Sequence, residues 1–244
     1  MKLGLECFLE QRFMNYKGLR VGLLTNMTGV NSRLIPSIDL FYEHPDIHLA
    51  ALYGPEHGIR GDAKEGEKVS SGFDPYTGLP VYSLYGETRK PTPEMLKDID
   101  VIVIDLQDIG TRYYTFIYTV AYVMEACKEE NKKVVILDRP NPINGINREG
   151  NLVEKDYCSF VGLYPLPVRH GLTMGELASL YKYEFGLDCE LEVVPMEGWS
   201  RSMYFDETGL LWVPASPNST GEAMSILYPG TCLIEGTNLS EGRG

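Results

Sequence analysis

The sequence predicts an α/β fold, with a Rossmann-like, mainly parallel sheet and helices on both faces. Four apolar segments read as buried strands, at residues 19–25, 47–53, 101–106 and 133–137. Strands covered on both faces give continuous runs of branched apolar residues rather than alternating ones. Strand, loop and helix repeat at least three times, which is typical of a parallel sheet. Right-handed crossovers would gather the carboxyl ends of these strands at one edge.

The segment from residue 101 organises the rest of the chain. Residues 101–104 are four consecutive β-branched apolar residues, and Asp105 and Asp108 follow directly. Ligands bind outside the carboxyl ends of strands in open α/β sheets, so the two aspartates lie where chemistry is expected. The alternative is that both are turn residues, paired with Arg112. Thr111 is predicted to cap a helix that runs to about Asn131.

The other predicted elements are shorter. We expect one domain over residues 1–244, less regular from about residue 151. The pattern predicts helices over 34–42, 93–98 and 174–183 and strands over 81–84 and 191–195, with an irregular stretch over 212–229.

Composition excludes several classes of function. The net charge is −12, which argues against a nucleic-acid partner. No apolar run approaches the ~20 residues of a membrane span. The five cysteines are scattered without a CxxC pair, so buried free thiols are expected. No secretory leader precedes the first strand, which predicts either a cytoplasmic protein or a sequence from which the leader is missing.

The motifs also limit the cofactors and the reaction types that can be expected. The first strand is not followed by a Gly-x-Gly-x-x-Gly fingerprint, and the chain has neither a Walker loop nor a Gly-x-Ser-x-Gly elbow. This argues against NAD or ATP as a cofactor and leaves a carboxylate-based hydrolase, since most glycosidases need two carboxyl groups. The candidates at strand ends are Glu56, Asp105, Asp108, Asp138, Glu149, Glu235 and Glu241.

Glu56 and His57 stand together in a glycine-rich loop after the second strand. The glutamate suits a general acid, or half of a metal site. A metal site has weak support because the four histidines form neither an HxH nor an HExxH pattern. The alternative is a loop glutamate that only accepts hydrogen bonds from backbone amides.

Six motifs in order now carry a family resemblance. They are LTNMTGV from Leu24, YGPEHGIRG from Tyr53, DLQDIGTRYY from Asp105, DRPNP from Asp138, FVGLYPLPVRHG from Phe160 and EGTNLSEGRG from Glu235. From about Gly18 to Gly244, the chain resembles the exo-acting β-N-acetylmuramidase family of peptidoglycan glycosidases (NamZ/YbbC-like).

The resemblance implies a Rossmann-like catalytic domain followed by a smaller C-terminal domain. It implies release of terminal N-acetylmuramic acid from the non-reducing end of peptidoglycan fragments, without a cofactor. The expected partners are therefore peptidoglycan-derived muramyl saccharides, and the expected location is extracellular or periplasmic. The sequence departs from the family in two ways, because the leader is missing and the chain ends where the second domain should begin.

Site residues follow from the same motifs. Glu56 is the leading general acid, with His57 orienting it or binding sugar hydroxyls, and Asp105 and Asp108 are the first candidates for the second carboxylate. The expected substrate-binding residues are Asn26, Arg60, Arg112, Tyr114, Arg139, Asn141, Arg169, His170, Glu235, Asn238, Glu241 and Arg243. Two other classes remain open, a peptidoglycan-binding module without turnover and a metal-dependent deacetylase or esterase.

Overall fold

A computed structural model describes residues 1–61 and 71–239. Nine strands lie in this part of the chain: β1 (Arg20–Thr25), β2 (His48–Gly54), β3 (Gly72–Phe73), β4 (Pro80–Ser83), β5 (Val101–Asp105), β6 (Lys133–Leu137), β7 (Glu149–Leu152), β8 (Pro167–Arg169) and β9 (Glu190–Val194). The α-helices in the same part of the chain are α1 (Gly4–Cys7), α2 (Ser37–Glu43), α3 (Pro93–Leu96), α4 (Phe116–Glu129), α5 (Met174–Glu184) and α6 (Ala223–Thr231).

The central sheet has the order β3-β4-β2-β1-β5-β6-β9 among the described residues, and β7 and β8 form a separate antiparallel ribbon. All pairings in the central sheet are parallel except that of β3 with β4. Because parallel strands run the same way, the residues that follow them meet at one edge. The mainly parallel α/β fold predicted from the sequence is confirmed.

Helices cover both faces of this sheet, as predicted. Along β5, Val101 and Val103 belong to an apolar cluster that includes residues of α1 and α2. Ile102 and Ile104 alternate with them and belong to a second cluster, which includes residues of α4 and α5. All four side chains are fully buried, which explains the unbroken branched run in the sequence.

Several predicted boundaries are wrong. The helix expected over 34–42 is α2, and it begins later because Leu34 has a φ of +62°, which a right-handed helix does not allow. Thr111 does not cap α4, since its hydroxyl donates to the Val168 carbonyl and the helix begins at Phe116. The stretch over 212–229 is not wholly irregular, because α6 runs through Pro229.

The ends of two elements were predicted well. Thr173 caps α5, accepting a hydrogen bond from the Glu176 amide while the Glu176 carboxylate accepts one from the Thr173 amide. Thr92 caps α3 in a similar way, with Pro93 at the first helical position. No helix among the described residues combines the length and apolar character that crossing a membrane requires.

Candidate active site

Three predicted site residues and the strand-end carboxylate Asp138 lie at the carboxyl edge of the central sheet. Asn26 follows β1, Asp105 ends β5 and Asp138 follows β6, while Glu56 lies in the loop after β2. The register sets them side by side, because Thr25 pairs with Asp105. The sequence-based expectation that these residues share one edge is therefore confirmed.

Glu56 is the carboxylate of this group that is half-buried rather than buried. The hydroxyl of Thr115 donates a hydrogen bond to its Oε2 over 2.8 Å. His57 is buried and has a φ of +72°, and Gly58 follows with a φ of +74°. A left-handed conformation is costly for histidine, and such strain concentrates at functional sites. The loop thus holds Glu56 in a fixed position, and the residue as a whole stays partly exposed.

Asp105 and Arg139 form a buried ion pair. Arg139 Nε donates to Oδ1 over 2.7 Å and Nη2 donates to Oδ2 over 2.9 Å. The aspartate side chain is 0% exposed and the arginine side chain 4%. Arg139 Nη2 also donates to the Val30 carbonyl. Both oxygens of Asp105 are therefore engaged, and the pair connects β5 to the loop after β6.

Asp108 and His170 form a second buried pair. His170 Nδ1 accepts a hydrogen bond from the Leu172 amide, so the proton of a neutral ring lies on Nε2 and is donated to Asp108 Oδ2 over 3.1 Å. The Gly110 amide donates to the same oxygen, and the φ of +87° at this position suits glycine. Asp108 Oδ1 is buried and makes no hydrogen bond to a described residue. That oxygen retains its full accepting capacity.

Two of the predicted substrate-binding arginines already have carboxylate partners. Arg60 donates hydrogen bonds from Nε and Nη2 to the two carboxylate oxygens of Asp74, and this contact lowers the pKa of Asp74 to about 2. Arg169 Nη1 donates to Glu149 Oε2 over 2.8 Å, and its guanidinium also contacts Tyr204. These pairs neutralise both arginines.

Arg112 is anchored differently. Its Nη1 donates to the carbonyl oxygens of Asn151 and Leu166, and the residue is 8% exposed. Its backbone is fixed as well, because the Arg112 amide donates to the Val168 carbonyl and the Arg112 carbonyl accepts from the Tyr118 hydroxyl. The guanidinium thus has a set orientation without an anionic partner among the described residues.

The remaining predicted contacts divide into buried and exposed groups. The side chain of Asn141 bonds to two backbone groups: its Nδ2 donates to the Leu172 carbonyl and its Oδ1 accepts from the Ile143 amide. Asn26 Oδ1 accepts from Thr28, while its Nδ2 is buried without a described partner. The ring of Tyr114 packs edge-on against Phe116 and Tyr228. Glu235 and Asn238 are exposed near the end of the described chain, and Glu241 and Arg243 lie outside the described residues.

Asp138 was noted in the sequence as a strand-end carboxylate but not included among the site residues. Burial raises its pKa to about 6, although the Gly175 amide and the Thr173 hydroxyl both donate to it. It therefore connects the end of β6 to the first turn of α5. Thr115 and Asn151 were also missed, because only the folded loops bring them to Glu56 and Arg112.

Two open clefts meet at Arg112. One has a volume of about 510 Å³ and lies against residues 151–154 and against Tyr157, Ser159, Val161 and Gly162. The other has a volume of about 530 Å³ and is bounded by β7, β8 and α6. Arg112, Tyr113 and Asn151 line both. Volumes of this size suit small-molecule ligands. Glu56 is not one of the described residues that line these two clefts, but its hydrogen-bond partner Thr115 follows Arg112 by three residues.

The chemistry available here is that of carboxylates, amides and guanidinium groups. Within residues 1–61 and 71–239, no three His, Cys, Asp or Glu side chains converge as a metal site would require. Glu56 can exchange a proton with a ligand, Asp108 Oδ1 can accept a hydrogen bond and Arg112 can bind an anion. This set fits a polar, anionic substrate.

Comparisons with known proteins identify the family to which this chain is similar. Residues 21–222 match the family "Exo-beta-N-acetylmuramidase NamZ, N-terminal". The chain is 54% identical over its 244 residues to "Peptidoglycan beta-N-acetylmuramidase NamZ" of Bacillus subtilis (strain 168), and covers 59% of that protein.

Two crystal structures of DUF1343 family proteins from Bacteroides fragilis NCTC 9343 share the fold. One superposes with a TM-score of 0.90 at 51% identity, over 96% of this chain and 60% of that protein. The other gives a TM-score of 0.86 at 34% identity, over 100% of this chain and 64% of that protein. The chain thus spans about three fifths of the length of these relatives.

Proposed function

The chain belongs to the NamZ N-terminal family, and from this premise we propose that it is the catalytic part of a glycoside hydrolase. The proposed reaction releases terminal N-acetylmuramic acid from the non-reducing end of peptidoglycan fragments. The Bacillus subtilis relative is named for β-N-acetylmuramidase activity on peptidoglycan, and the sequences align over the whole of this chain.

The observation that carries the proposal is the partial exposure of Glu56. Asp105, Asp108 and Asp138 are buried, whereas Glu56 is half-buried at the same edge. A general acid must reach the leaving-group oxygen to within hydrogen-bonding distance, so it needs an accessible carboxyl group. Glu56 is the one of these four residues that is partly exposed, and the hydrogen bond from the Thr115 hydroxyl orients it. In this proposal Glu56 protonates the glycosidic oxygen and His57 supports the loop that holds it.

For the second carboxylate, the geometry favours Asp108 over Asp105. Arg139 engages both oxygens of Asp105, so we assign this pair a structural role. Asp108 keeps one oxygen without a described partner, while His170 and Gly110 hold the other. A carboxylate held in this way can stabilise positive charge that develops on the sugar ring.

The proposal is tested by turnover of a chromogenic β-N-acetylmuramide, with the matching β-N-acetylglucosaminide as the comparison substrate. A glycosidase of this class releases the chromophore from the muramide. Binding without release would instead identify a carbohydrate-binding module. Loss of an esterase or deacetylase activity on chelation would identify the metal-dependent alternative.

A further inference from the structure

Three arginines of this protein bind aspartate in the same way. Arg20, Arg60 and Arg139 each use Nε and Nη2, the pair along one edge of the guanidinium group, to reach both oxygens of one aspartate. The six donor–acceptor distances lie between 2.7 and 3.2 Å. Two parallel charged hydrogen bonds of this kind are the strongest way for arginine to bind a carboxylate.

Arg112 presents the same edge without such a partner. Its Nη1 is occupied by two carbonyl oxygens, which fixes the plane of the group. Nη2 reaches only Asn151 Oδ1, over 3.4 Å, which is long for a hydrogen bond. Nε makes no hydrogen bond to a described residue, and no described carboxylate forms an ion pair with Arg112. The edge that holds aspartate in the other three arginines is thus open to a ligand.

The charge balance around Arg112 favours an anion. A cation that is about nine-tenths buried is costly unless an anion compensates it, and carbonyl dipoles compensate only part of the charge. The nearby Arg169 has Glu149 as its partner, so that carboxylate is already bound. Arg112 is therefore a local positive site in a protein of net charge −12.

The position of Arg112 connects it to the proposed catalytic carboxyl. It lies between the two clefts and lines both. Thr115, which orients Glu56, follows three residues later in the same loop. The loop whose Thr115 hydroxyl orients Glu56 thus also carries the guanidinium group that lines the clefts.

We propose that the Nε and Nη2 edge of Arg112 binds the lactyl carboxylate of the N-acetylmuramyl residue, an inference that rests on the proposed function. N-acetylmuramic acid differs from N-acetylglucosamine by a lactyl ether that carries a carboxylate. That group can replace the weak contact with Asn151 Oδ1 by two charged hydrogen bonds. Arg112 thereby distinguishes muramides from glucosaminides.

The test compares methyl β-N-acetylmuramide with the methyl ester of its lactyl group, by calorimetric binding to the unmodified protein. The ester keeps the shape and removes the charge. We expect the free carboxylate to bind about 10- to 150-fold more tightly than the ester. In Arg112→Gln, this preference should fall to about equal affinity, because glutamine can still donate to a carbonyl but carries no charge.

The matched control is Arg20→Gln. Arg20 uses the same guanidinium edge to hold Asp100, but it begins β1 at the opposite end of the sheet. This variant should keep the full preference for the carboxylate. Arg112→Lys provides a second variant, which keeps the charge and loses the paired geometry, and its preference should fall to a lesser degree.

The outcomes separate this inference from the proposed function. Binding of neither sugar by the unmodified protein would overturn the proposed function, and with it the role of Arg112. Equal binding of acid and ester would overturn the role of Arg112 alone. A preference that survives in both Arg112 variants would show that the carboxylate binds elsewhere.

Discussion

Asp138 is a buried carboxyl group whose pKa, raised to about 6 by burial, lies above the ordinary value of 3.8. The folded protein therefore holds this proton more tightly than the unfolded chain does. The stabilising contribution is fully present below about pH 4 and is lost as the pH rises through 6. At pH 7 and above, the loss amounts to about 3 kcal/mol.

Replacing Asp138 by Asn should remove this pH dependence. The amide oxygen can still accept from the Gly175 amide, and the amide nitrogen can donate to the Thr173 hydroxyl. We expect the free energy of unfolding of Asp138→Asn, relative to the parent, to increase between pH 4 and 7 by up to about 3 kcal/mol. Urea denaturation across this range measures the difference, and a constant difference would contradict the assignment.

Asp74→Asn is the matched control, because the contribution of Asp74 to stability depends on pH in the opposite direction. The Arg60 guanidinium lowers the pKa of Asp74 to about 2, so its contribution is present above the ordinary pKa of 3.8 and is lost as the pH falls towards 2. This variant should be less stable than the parent at pH 7, and the gap should close towards pH 2.

The site residues show what the sequence could and could not predict at this scale. Asp105 follows an unbroken apolar strand, so its place at the sheet edge was predictable. Its partner was not, because Arg139 is 34 residues away and only the pairing of β5 with β6 brings the two together. The same holds for Arg112 and Asn151, whose contact depends on the ribbon of β7 and β8.

At the scale of the elements, the ion pair of Asp105 and Arg139 connects two parts of the sheet edge. Arg139→Met should destabilise the protein by about 3–5 kcal/mol, because it leaves a buried carboxylate without a cation. Adding Asp105→Asn to this variant removes the uncompensated charge and should restore part of the loss. Denaturant unfolding of both variants measures the effect, and a double variant less stable than the single one would contradict the pairing.

The first turn of α5 depends on Thr173. Its hydroxyl accepts from the Glu176 amide and donates to Asp138 Oδ2 over 2.9 Å. Thr173→Ala should cost about 1–2 kcal/mol in the free energy of unfolding. Thr173→Ser keeps the hydroxyl and should stay within a few tenths of a kcal/mol of the parent. Equal losses in the two variants would assign the effect to the methyl group instead.

The elements differ in how well the sequence predicts them. The cap at Thr173 has a local signal, because Glu176 stands three residues later and both capping bonds lie within one turn. Helix α6 lacks such a signal, since Pro229 lies inside it and proline normally marks an interruption. The ring of Tyr228 in this helix packs against the ring of Tyr114. Because the two residues are far apart in the sequence, no local sequence pattern could predict this contact.

At the scale of the whole molecule, the parallel sheet explains why one edge carries the polar motifs. The unbroken apolar strands were sufficient to predict the sheet, since helices on both faces impose that pattern. Charge and composition could not predict the contact of Glu56 with Thr115, because only the folded loops bring these two residues together. The proposed activity depends on Glu56 as its general acid.

The most direct test of the account is the turnover of a chromogenic β-N-acetylmuramide by Glu56→Gln, with sugar binding measured on the same samples. A positioned general acid typically contributes about 10²–10⁴-fold to the rate. We expect kcat to fall by that factor while the protein stays folded and binds methyl β-N-acetylmuramide as the parent does. Unchanged turnover by Glu56→Gln would show that Glu56 is structural and would contradict the account.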